Sequence, residues 1–153
     1  MPAVTIDDVL TAVRTKWTTG AMAGVALYGF RKAPGVNLGT DGTSVPAYAV
    51  ATAGEDLNAR ERFTDGKLLQ RFDLTVDVWT VAPGQTGNYE RQTEAALSGT
   101  PANPSAGLSL AGSNRVVRSW GKGWVMITDP KVTGGQDVFK LTGKWTLLVQ
   151  SAE

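Results

Sequence analysis

Few residues in this chain could do chemistry, and their spacing does not favour it. Asp73 and Asp77 form the best-placed carboxylate pair, four residues apart in an alternating stretch. At about 3.3 Å per strand residue they stand roughly 13 Å apart on one face, too far for the paired acids of a glycosidase. Pairing across a sheet with Lys140 or Lys144 is the use that fits them. Gly121-Lys122-Gly123 lacks the second glycine pair, the Lys-Ser/Thr end and the following helix of a phosphate loop, so it reads as a turn. The chain has no His and no Cys, which removes His-based triads, the commonest general base, most zinc or iron sites, cysteine nucleophiles and disulfides. It has no Gly-x-Ser-x-Gly, metal-ligand spacing or dinucleotide fingerprint. The expectation is a protein that is not an enzyme, with no catalytic, cofactor-binding or metal-binding residues and no cofactor.

Aromatic and cationic residues point to binding instead. The chain contains five tryptophans: Trp17, Trp79, Trp120, Trp124 and Trp145. Arg115, Arg118, Trp120, Lys122 and Trp124 superficially match a stacking platform for single-stranded nucleic acid. Fifteen Lys plus Arg against fourteen Asp plus Glu leave a net charge of only +1, too little to make nucleic acid the main partner. Trp17 and Trp145 fall in phase with core positions. Trp79 falls out of phase on its strand and needs separate cover, and with Trp120 and Trp124 it is expected at a subunit interface, where Trp and Arg are enriched. Residues 55–67 carry Glu55, Asp56, Arg60, Glu61, Arg62, Asp65 and Lys67. Charge of mixed sign at this density marks a solvated loop or hairpin extension, or, more pointedly, an arm whose charges set registry with a neighbour. The candidate interface residues are therefore Arg60, Arg62, Lys67, Arg71, Asp77, Trp79, Trp120 and Trp124.

The elements that must position these residues follow from periodicity. In residues 69–81, Phe72, Leu74, Val76 and Val78 alternate with Arg71, Asp73, Thr75 and Asp77, the period-two pattern of a strand with one buried face. Residues 139–150 repeat that pattern, and the two form the natural antiparallel pair, with Gly143 marking a bulge or a close backbone approach. Thr5 and Asp8 read as a helix start. Ile6, Val9, Leu10, Val13 and Trp17 then trace one helical face, and Tyr89, Thr93, Ala96 and Leu97 trace a second. Residues 25–30 and 46–53 read as strands, the latter with Ala47, Ala49 and Ala51 on a face that something packs closely against. Residues 32–45 read as a long loop, and residues 115–120 and 123–128 as a hairpin about Gly121-Lys122. At 153 residues the default is one domain spanning 1–153. The fold class expected is α+β, a mainly antiparallel sheet with two helices packed on one face. The start of the chain lacks a secretion signal. The longest weakly polar run, residues 21–30, is about half the roughly twenty residues a spanning helix needs. A soluble protein made in the cytoplasm is the expectation.

The order of elements resembles the tail-terminator or tail-completion proteins of long-tailed bacteriophages and related particles. The resemblance rests on an N-terminal helix such as residues 6–17 and a strand opening with Pro46-Ala47-Tyr48. A long strand ending in Val78-Trp79, a short helix at residues 89–97 and a closing alternating strand complete it. It covers nearly the whole chain, although residues 55–67 and the segment around Trp120 and Trp124 are longer than the compact family pattern. The family implies a homo-oligomeric ring, usually a hexamer, that caps the head-proximal end of the tail tube. Such a ring ends tube polymerisation and joins the tail to the head connector, with the tube and connector proteins as partners, no membrane, and a lumen through which DNA passes without specific recognition. It implies a place in the virion at the head-tail junction, after assembly in the host cytoplasm. The rival readings are another head-tail connector or tail-tube subunit, and a non-viral ligand-binding α+β domain.

Overall fold

Thr5 and Asp8 close a capping box at the start of helix α1 (Ile6–Thr18). Thr5 Oγ1 accepts from the Asp8 N–H at 3.2 Å and Asp8 Oδ2 accepts from the Thr5 N–H at 2.8 Å, which satisfies donors the helix leaves free. The computed structural model describes residues 3–29, 38, 45–129 and 138–151. After α1 come β1 (Ala26–Gly29), β2 (Ala47–Arg62), β3 (Leu68–Thr80), a short 3-10 turn (Pro83–Gln85), α2 (Thr86–Leu97), β4 (Arg115–Asp129) and β5 (Val138–Ser151). The stretch expected as a long loop lies outside the described residues except for Leu38 and Val45, which form an isolated parallel bridge.

The strands form one sheet in the order β1-β2-β3-β5-β4. β1 pairs with β2 in parallel and the other neighbours are antiparallel, so the fold is α+β with a mainly antiparallel sheet. β3 is central, and Phe72, Leu74, Val76 and Val78 are all at most 1% exposed. They share one core with Val9, Leu10, Val13 and Trp17 of α1, Ala96 and Leu97 of α2, and Leu141, Trp145, Leu147 and Val149 of β5. Ala47, Ala49 and Ala51 join that core, so the small-residue face of β2 lies under α1 as expected. Both helices cover this one face, and the other is here called the outer face. Buried Gln70 fastens the N-terminus to the sheet: its side chain accepts from the Val4 N–H at 2.9 Å and donates to the Val4 carbonyl at 3.0 Å.

Two features differ from the sequence reading. The expected hairpin about Gly121-Lys122 is a single strand, β4, which pairs with β5 from Arg115 to Asp129 with register shifts at Val116/Arg118 and Gly121/Gly123. Gly123 has φ +126° and absorbs the irregularity as a bulge; β5 offers an uninterrupted ladder, so the chain continues along it instead of turning back. The expected pairing of Asp73 and Asp77 with lysines is also replaced. Asp77 accepts from Thr142 at 2.6 Å and Asp73 from Thr146 at 3.3 Å, because the register puts Lys140 opposite Trp79 and Lys144 opposite Thr75. Gly143 is a close approach, as one expected alternative had it: a Cβ there would sit 2.5 Å from the Trp145 ring and 2.9 Å from that of Trp124.

Candidate subunit interface

Residue alternation divides the candidate residues among three places. Arg71, Asp77 and Trp79 project from the outer face of β3, and Trp120 joins that face from β4 because its register partner is Thr146. Trp79 receives part of its cover within the chain: its ring stacks on Tyr48 at 6.3 Å with an interplanar angle of 20°, and Lys140 Nζ lies 5.1 Å from its centroid. Tyr48, itself edge-on to Tyr28, is buried, which pushes its phenol pKa up by desolvation. Trp120 carries the Arg118 guanidinium 5.1 Å above its ring. Arg71 is half-buried, and its Nε has no hydrogen-bond partner.

Arg60, Arg62 and Lys67 lie apart from that face, on an arm formed where β2 and β3 run past β1. Residues 55–62 continue β2, so the charged stretch is a hairpin extension. Arg60 forks onto Glu55, donating from Nε at 2.6 Å and Nη2 at 2.8 Å. That hydrogen bonding holds the Glu55 carboxyl below the usual carboxylate range against an opposing push from burial. Arg62 donates to the Gly66 carbonyl at 3.3 Å, and Lys67 lies 3.5 Å from Asp65.

Trp124 occupies the third place, on the helix-bearing face. The bulge at Gly123 puts it opposite Gly143, where its ring meets Trp145 edge-on at 5.3 Å and its indole N–H donates to Glu94 Oε1 at 2.6 Å. Trp145 in turn donates to Ser98 Oγ, so the two tryptophans tie α2 to β4 and β5.

Exposed apolar side chains add residues that the sequence reading passed over. Leu57 and Phe63 are 66% and 42% exposed on the arm, and Val125, Met126 and Ile127 are each more than half exposed on β4. β4 is an edge strand of the sheet. Its first half is screened by the segment after α2: the Gly99 N–H donates to the Ser119 carbonyl and the Ser119 N–H to the Pro104 carbonyl, both at 2.8 Å. Signals for these residues were present. Three consecutive apolar residues break alternation and leave both faces of a strand apolar, and Leu57 is an apolar side chain set within a charged run. Among the described residues no helix is long and apolar enough to cross a membrane.

No protein-family model matches this chain, and no curated protein matches it. Solved structures do. One is a chain in the virion of the native gene transfer agent particle, which matches with a TM-score of 0.63 over 97% of this chain and 100% of that one, at 17% identity. At that identity the likeness is one of fold, and it runs the full length of both chains.

Proposed function

We propose that this chain is a structural protein of a phage-like virion and, within that class, a tail terminator. It forms a ring, with six copies as the family pattern, on the head-proximal end of a tail tube. The ring stops tube growth and offers its other face to the head connector, and its lumen passes DNA without reading sequence. The work is binding and the protein is not an enzyme. The observation that carries the reading is the end-to-end fold match with a chain of the gene transfer agent virion.

The candidate residues suit that role. An outer sheet face with Trp79, Trp120 and Arg71, an arm with Leu57 and Phe63, and an edge strand with three exposed apolar residues are distinct surfaces. A subunit that meets two neighbours, a tube and a connector needs several unlike surfaces. Solution mass tests the reading, because a terminator stops at one ring whereas a tube subunit grows open-ended tubes.

A further inference from the structure

At one side of the sheet β2 makes a protrusion. Asp56 pairs with Arg71 and Glu61 with Leu69, so Leu57, Asn58, Ala59 and Arg60 face the single residue Gln70. The protrusion is clamped at its base by the two-pronged Arg60–Glu55 pair and by Asp56 Oδ1, which accepts from the Asn58 N–H at 3.1 Å. Leu57, immediately beyond Asp56, is the most exposed large apolar side chain among the described residues. A bidentate guanidinium–carboxylate pair fixes geometry as well as adding energy, so Leu57 is displayed on a braced support. Among the described residues, the pairing of β1 with β2 ends at Gly29 opposite Ala51, short of this part of β2.

At the opposite side of the sheet lies a cleft of about 360 Å³ between residues 99–104 and Arg118, Ser119 and Trp120 of β4, lined on the first side by Gly99, Thr100, Pro101 and Pro104. Its walls are two prolines and a tryptophan, with one cation. Protrusion and cleft stand level with each other: Arg118, Leu148, Arg71 and Asp56 are successive register partners across four strands. At that level the two sides carry one pair of unlike charges, Asp56 at the foot of the protrusion and Arg118 at the cleft, although the arm as a whole is of mixed sign, with Arg60 and Arg62 beside Glu55, Asp56 and Glu61.

The geometry points to a second copy of this chain as the occupant of the cleft, with Leu57 of one copy seated against Pro101, Pro104 and Trp120 of its neighbour. Copies set side by side bring Leu57 to the cleft without displacement along the strands, and bring Asp56 to Arg118. The two surfaces differ, so the contact is heterologous, and its repetition closes into a ring when the rotation per copy divides a full turn. This inference rests on the ring proposed above and supplies its subunit contact.

The absence of cysteine gives a clean test. A chain carrying both Leu57→Cys and Pro101→Cys is assembled under reducing conditions, its mass is read by light scattering, and it is then treated with a short bis-maleimide and run on a denaturing gel. A ladder of covalent multimers is expected. A control pair, Leu57→Cys with Val125→Cys farther along β4, should stay at the single-chain band. Rings that give no ladder, or a ladder equally strong in the control, overturn the contact and leave the ring reading standing; failure of the wild-type chain to form any ring overturns both. A separate Leu57→Asp variant should keep the wild-type melting temperature and assemble at least tenfold more weakly, and wild-type assembly by that variant also overturns the contact.

Discussion

Trp79 stands between Tyr48 and Lys140 on the outer face of β3, half-covered by its own chain. Replacing it with alanine removes one aromatic stack and part of a ring's burial, so folding should weaken by about 1–2 kcal/mol in urea titration. If a neighbouring subunit completes the cover, assembly should weaken more, by at least about 2 kcal/mol. A large loss of monomer stability with assembly intact would contradict the interface role. Glu55 yields a pH prediction. Its carboxyl is held below the usual range chiefly by the hydrogen bond from Arg60. The pair therefore contributes stability that is present above the unfolded glutamate value, about 4.3, and is lost as pH falls through the lowered folded value. Titration followed by NMR should place Glu55 below an ordinary glutamate, and Arg60→Ala should move its midpoint upward; a midpoint unmoved by that change would sink the assignment. The exposed charges on the arm were legible from composition, but the partner of Arg60 was not, because the protrusion that folds residue 60 back onto residue 55 has no local signature.

Gln70 shows how elements are fastened together. It falls in the buried phase of β3 yet is polar, and it joins the N-terminus to the sheet through both polar atoms of the Val4 backbone. Gln70→Ala leaves a buried N–H and a buried carbonyl unpaired, which should cost about 2–4 kcal/mol of stability by urea titration. A change under about 0.5 kcal/mol would show that water replaces the side chain without penalty. The strands were readable where one face is buried, as in β3 and β5, because alternation is set by the core. They were misread where the partner decides. Gly121-Lys122-Gly123 has the composition of a turn, but β5 continues past it and the glycines become a bulge. That bulge also shifts the phase of β4, so Trp120 and Trp124, four residues apart and expected to share an interface, lie on opposite faces of the sheet. A pattern read from one strand carries no information about a register shift imposed by another.

At the scale of the whole molecule, the α+β class and the placing of both helices over one sheet face followed from counting apolar faces that needed cover. The parallel pairing of β1 with β2 did not follow, since a four-residue strand has too little pattern to fix direction. The full-length fold match with a chain of the gene transfer agent virion supports the virion reading, and the ring-forming terminator within it is the central claim. Size-exclusion chromatography with light scattering, supported by negative-stain images and repeated with tail tubes added, tests that claim most directly. The account predicts rings of one subunit number that do not lengthen with concentration and that sit on tube ends. A monomer at high concentration that forms no ring on added tubes, or open-ended tubes grown from this chain alone, would contradict it.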